Sequence, residues 1–176
     1  MNVHTERLTL RRFTEDDLEL LVELDSDPAV VRYVGNGRPT PRSVIESTTL
    51  PAFLSYTVDG LGTFAAHQRD DGAFIGWFGL RAWPEPGVAE LGYRLRRSAW
   101  GHGYATEGAR ALVAKGFTEL GVRRVVAQTM AVNTASRRVM ERVGLRLVRT
   151  WVQDWDEPIE GAELGEVEYA LDRPSS

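Results

Sequence analysis

The sequence predicts an α/β layered domain with a mixed sheet. Three observations carry that expectation. Short apolar strands and helix-compatible runs follow one another along the 176 residues in the order β-α-α-β-β-β-α-β-α-β-β. One strand, Ala89–Leu95, leads directly into a Gly-x-Gly turn and a long helical run. With 43% hydrophobic residues, the chain can bury a core of its own. No repeat, low-complexity tract or linker interrupts it, so residues 1–176 read as a single domain.

The elements follow in order. Arg7–Phe13 alternates Leu8, Leu10 and Phe13 imperfectly with polar residues and reads as an edge-type strand. Thr14-Glu-Asp-Asp is an N-cap with an acidic first turn, opening a helix to about Leu24. Asp27-Pro28 starts a short helical turn, Gly35–Pro41 is a loop, and Pro41 to about Phe53 is the second helix. Leu61–Gln68 and Phe74–Arg81 are strands joined by the hairpin turn Arg69-Asp-Asp-Gly72. Trp83–Gly87 turns the chain into the Ala89–Leu95 strand. A helix from Tyr104 to Leu120 stops at Gly121, and Val122–Val132 is a buried strand. Asn133 caps a short helix that Gly144 ends, and strands near Leu147–Trp151 and Glu166–Leu171 flank a long acidic loop.

Composition narrows the function. No run of about 18 apolar residues exists, so no membrane span is expected. The N-terminus lacks a basic and then apolar stretch, so no secretory leader is read there. Zero cysteines exclude a disulfide framework, a thiolate nucleophile and a cysteine metal site. His4, His67 and His102 are too far apart to suggest a metal cluster, and no metal is expected. A cytoplasmic location is the default. Net charge is −4, but its distribution is uneven: Arg94–Arg149 holds twelve Arg or Lys against three acidic residues. A basic segment around a glycine turn suits a compact polyanion. A long nucleic-acid backbone would be repelled by the acidic remainder.

The turn itself is Trp100-Gly-His-Gly-Tyr-Ala-Thr-Glu107. Alternate glycines bring backbone N–H groups close to a ligand, and the helix start behind them adds free N–H groups and a positive dipole end. Phosphate is the usual occupant of such a cradle. No Gly-Lys-Ser/Thr follows, so this is not a nucleotide-hydrolase loop. Thr106 stands where a dinucleotide fingerprint needs glycine.

The chain resembles the GNAT superfamily of acyl-CoA-dependent N-acetyltransferases. Trp100-x-x-Gly103-x-Ala105 matches that family's pyrophosphate loop except at its first residue. Trp-Gly-x-Gly-Tyr-Ala-Thr-Glu, Asn133-x-x-Ser136 and the opening Thr5–Phe13 look like the branch that acetylates ribosomal-protein N-termini. The resemblance implies a GNAT fold, with a mixed, mostly antiparallel sheet that splays at the acyl-CoA site between Ala89–Leu95 and Val122–Val132. It also implies acetyl-CoA as co-substrate, a primary amine as acceptor (a protein N-terminus or a small molecule), direct attack in a ternary complex and a possible homodimer. The alternative is a non-catalytic acyl-CoA sensor on the same fold.

Site residues follow from that resemblance. Gly101, His102, Gly103, Tyr104 and Ala105 offer main-chain N–H groups to the pyrophosphate, and Thr106 a hydroxyl. Leu95 and Asn133 border the cofactor, and Arg96, Arg97 and Arg138 are candidate contacts to the adenosine phosphates. Gly92 marks a bulge or a close ligand approach, and the N–H near Tyr93 is the expected oxyanion donor. Glu90 is the candidate base; it could instead face solvent, with a water-linked carboxylate taking the proton. The family's acid tyrosine is replaced by Met140, which leaves Ser136 as candidate acid or as a helix cap. Asp154, Trp155 and Asp156 are candidate contacts for a cationic amine.

Overall fold

The computed structural model describes residues 2–56 and 59–175. Eight strands form one sheet: β1 (Val3–His4), β2 (Leu8–Arg12), β3 (Gly62–Gln68), β4 (Phe74–Ala82), β5 (Val88–Leu95), β6 (Arg124–Met130), β7 (Arg146–Trp151) and β8 (Glu166–Asp172). Their order is β1-β2-β3-β4-β5-β6-β8-β7, and every neighbouring pair is antiparallel except β5–β6. The helices are α1 (Leu18–Ser26), α2 (Pro28–Val31), α3 (Arg42–Val44), α4 (Leu50–Leu54), α5 (Tyr104–Glu119) and α6 (Thr134–Val143).

Alternation along the strands builds a core on each face of the sheet. Phe78, Leu80, Leu91, Val125 and Tyr169 meet Ala109, Leu112 and Val113 of α5 and Met140 of α6. On the other face, Ala65 and Trp77 meet Leu21 and Leu24 of α1, Val31 of α2, and Ile45 and Phe53 farther along. The α5 helix sits close to β4 because residue 108 is glycine: a Cβ there would lie 2.3 Å from Phe78 Cζ.

The structure departs from the sequence reading in places. The two-residue β1 pairs with β2 and was too short to show a period. The helix expected from Thr14 begins as a 3-10 turn, Glu15–Asp17, with Arg11 gripping the Asp17 carboxylate at 2.8 Å through both terminal nitrogens. The helix near Phe53 widens into a π segment, Ile45–Thr49. Pro51 has no N–H to return to Ser47, and its ring crowds that carbonyl. No bulge falls at Gly92, since β4–β5 register is continuous. A Cβ at Gly92 would come 3.3 Å from the Trp77 ring, so the glycine makes room for that indole. No described helix is long and apolar enough to cross a membrane.

Candidate active site

The site begins where two strands part. Parallel pairing of β5 with β6 stops at Glu90↔Val126, yet β5 runs on to Leu95 and β6 to Met130. Trp83 N–H donates to Val88 O at 3.1 Å and Arg96 N–H to Ile75 O at 2.8 Å. These two bonds bracket β4–β5 and fix its alternation, in which Phe78–Tyr93 exchanges no hydrogen bond. The Tyr93 N–H therefore points away from β4, into the gap.

Above the gap lies the glycine turn. Gly101 and Gly103 have φ of +76° and +81°, a region costly for other residues, and Gly103 is the N-cap of the 16-residue α5. No side chain caps α5, which leaves its first N–H groups to the groove. The turn is tied down from behind. Arg7 Nη1 donates to His102 O at 2.8 Å, its Nε donates to Glu107 Oε2 at 2.7 Å, and its guanidinium lies 4.4 Å from the Tyr104 ring centre. Glu107 also accepts from Thr5 Oγ1 at 2.6 Å and Arg7 N at 2.8 Å. Burial pushes the Glu107 carboxyl up, but these hydrogen bonds and the Arg7 charge outweigh it and hold it below the usual range. The acidic residue in the first turn of α5 thus faces the protein, away from a bound anion.

A groove of about 700 Å³ runs from this turn and is lined by Leu95, Gly101, Gly103, Tyr104, Ala105 and Thr106. Asn133, Ser136 and Arg138 line it too, as do Arg32 and Arg142, which sequence reasoning missed. His102 is exposed and contributes its carbonyl to Arg7. Arg96 and Arg97 stand apart from the groove and pair with Glu23 at 3.4 Å and Asp27 at 2.6 Å.

The groove meets a second cavity of about 520 Å³, and Tyr93, Arg94, Asn133 and Ser136 line both. At their junction the Tyr93 hydroxyl lies 3.0 Å from Ser136 Oγ and 3.0 Å from Ser136 O. Burial raises the Tyr93 phenol to about 12 against the opposing pull of the Ser136 hydroxyl, so it stays protonated near neutrality. Asn133 accepts the Ser136 N–H at 3.3 Å and donates to Thr129 at 3.2 Å. The helix cap is therefore the asparagine, and the serine hydroxyl serves the junction. Met140 is buried at the wall.

Glu90, Gly92 and Arg94 point to the face opposite the α5 core, into the second cavity. Glu90 is half-buried and 3.4 Å from Arg81 Nη2. Arg94 clasps both oxygens of Asp25, which is 2% exposed, at 2.8 and 2.9 Å. Trp77, Trp151, Trp155, Glu157 and Glu166 complete much of the wall. Asp154 and Asp156 do not line it; Trp155 does, and is 46% exposed. Arg32 and Glu160, next in sequence to the lining residues Tyr33 and Ile159, form an ion pair. Among the described residues no group of three or more His, Asp or Glu is placed to hold a metal ion.

The family model for an acetyltransferase (GNAT) domain matches residues 7–146. The chain belongs to the GNAT acetyltransferase family. It is 37% identical over 97% of its length to the FsC-acetyl coenzyme A-N(2)-transacetylase of Aspergillus fumigatus, covering 76% of that protein. A GNAT-family acetyltransferase from Bacillus anthracis shares the fold at a TM-score of 0.84, with 24% identity, covering 98% of this chain and 99% of that one. RimL, a ribosomal L7/L12 α-N-protein acetyltransferase solved with coenzyme A, does so at 0.83 and 20% identity, over 98% of each chain.

As a GNAT enzyme, the chain transfers an acetyl group from acetyl-CoA to an amine. The residues present fit that co-substrate. The left-handed glycines leave a cradle open to a pyrophosphate, Arg138 and Arg142 add positive charge along the groove, and an unpaired strand N–H waits at the gap. The co-substrate supplies the activated thioester carbonyl. Arg32 and the Arg7–Glu107 anchor escaped the sequence reading because each acts across more than 90 residues, Glu166 because it only opens a strand, and Arg142 because it reads as one more cation on a short helix. No local spacing marks them.

Proposed function

We propose that the protein acetylates a small cationic amine, by direct attack within a ternary complex. The observation that carries this reading is the junction of two cavities at Tyr93 and Ser136: a basic, phosphate-type groove on one side and a carboxylate- and tryptophan-lined chamber on the other. Backbone N–H groups at Gly101–Ala105 and the Thr106 hydroxyl hold the pyrophosphate, with Arg138 near the adenosine phosphates. The Tyr93 N–H receives the negative charge that builds on the carbonyl oxygen. The Ser136 hydroxyl, hydrogen-bonded to Tyr93, returns a proton to the departing sulfur. No residue of this chain offers a thiol for an acyl-enzyme, so positioning of both substrates supplies much of the rate.

A small acceptor is favoured over a protein N-terminus. The chamber's volume of about 520 Å³ suits a compact acceptor. The likeness to RimL rests on fold alone. Thiol release from acetyl-CoA, measured with a panel of diamines, amino-acid-like amines and ribosomal N-terminal peptides, tests this. Turnover of small amines well above peptides supports it; preference for peptides contradicts it.

A further inference from the structure

Glu166 opens β8 with its Cα paired to Met130 of β6 and Trp151 of β7. Its backbone is fixed on both sides. Gly165 O accepts the Ala131 N–H at 2.9 Å, and Gly165, at φ +85°, sits so close to Trp151 O that a Cβ would come within 2.4 Å. The carboxylate projects into the acceptor chamber, half-buried, and has no hydrogen-bond or ion-pair partner among the described residues.

Its neighbours differ. Glu90 is held by Arg81, Glu168 accepts from Gln128 at 2.8 Å and Arg149 at 3.3 Å, and Glu157 is exposed. The cations of the wall are spent, Arg81 on Glu90 and Arg94 on Asp25. Tyr33 and Tyr93 are the remaining titratable groups there. A half-buried carboxylate facing a chamber with no spare cation calls for a cation from the ligand. Its height is right as well. Counting up from the last β5–β6 pair, Glu90↔Val126, Met130 stands level with Arg94, one residue past the Tyr93 N–H. Glu90 lies three residues below that N–H, roughly 10 Å along the strand.

We propose that Glu166, rather than Glu90, receives the acceptor's ammonium group and takes its proton. This rests on the N-acetyltransfer reading above. The ammonium N–H bond breaks and a Glu166 O–H forms. The freed nitrogen pair makes the N–C bond as C–S breaks, and the sulfur takes its proton from the Ser136–Tyr93 pair. The new amide nitrogen sheds its second proton, which restores that pair, and Glu166 later releases the first proton to water. Burial lifts the Glu166 carboxyl above the ordinary range, which makes it a better base than an exposed glutamate.

The test compares wild type, Glu166→Gln, Glu166→Asp and Glu90→Gln with the best small amine, reading kcat/KM against pH beside calorimetry with acetyl-CoA. Wild-type turnover secures the underlying reading, and its absence would overturn that reading. Glu166→Gln is expected to bind acetyl-CoA as wild type does but to lose on the order of 100-fold or more in kcat/KM, together with the acidic limb of the profile. Glu166→Asp should keep that limb at a reduced rate, and Glu90→Gln should keep it too. Near-wild-type kcat/KM in Glu166→Gln, or loss of the acidic limb only in Glu90→Gln, overturns the assignment.

Discussion

Replacing Gly108 with Ala tests how the cofactor-binding helix is seated. The added Cβ would lie 2.3 Å from Phe78 Cζ and 2.6 Å from both Cε atoms. Carbon atoms prefer about 3.5–4.0 Å, so either α5 lifts by roughly an ångström or the ring swings. Phe78 is fully buried and has little room to swing. Overpacking of this kind costs about 1–3 kcal/mol, and the better helix propensity of alanine returns about 1 kcal/mol. A net loss of up to about 2 kcal/mol should lower Tm by up to about 8 °C for a domain of this size. Because α5 carries the pyrophosphate cradle, acetyl-CoA affinity should fall about three- to tenfold, as read by calorimetry. Adding Phe78→Leu should recover part of both losses as a coupling energy. A Tm that rises in Gly108→Ala with unchanged affinity would refute the close seating of α5 on β4.

Further expectations concern the site's supports. Arg7→Ala removes the ties to His102 O and Glu107, so acetyl-CoA should bind several-fold more weakly while the amine KM stays put; an unchanged Kd would show that the loop holds its own shape. Ser136→Ala should lower kcat more than it raises the amine KM, and Tyr93→Phe should do so less, with both followed by thiol release. Asp25→Asn strands Arg94 in a buried setting and should cost about 3–5 kcal/mol in denaturant unfolding. Glu107 is held below its usual range in the folded chain, so its contribution is present above the ordinary glutamate value and lost as pH falls through the folded one. Wild type should therefore lose stability on acidification more steeply than Glu107→Gln, and parallel acid curves would contradict this.

Much of the fold was legible because period and punctuation agree. Strands β3 to β5 show apolar runs between clear turns. The α5 and α6 helices carry their stops in Gly121 and Gly144, both at positive φ. The glycine turn was legible because Gly101 and Gly103 lie two residues apart at a helix start. What escaped is long-range pairing. Arg96 and Arg97 look like phosphate contacts by proximity to the turn, yet Glu23 and Asp27 reach them first. Asp154 and Asp156 share the acidic loop with Trp155, but only the indole lines the chamber. Glu166 read as the start of a strand after the acidic loop and gains significance only once Met130 and Trp151 flank it and no cation does.

Initial velocities with acetyl-CoA and the best amine both varied test the central claim most directly. Direct transfer across the junction of the two cavities requires both substrates to be bound together, so double-reciprocal lines should intersect and the acetylated amine should accumulate in step with free thiol. Parallel lines, or acetyl groups retained on the protein when amine is withheld, would contradict the account.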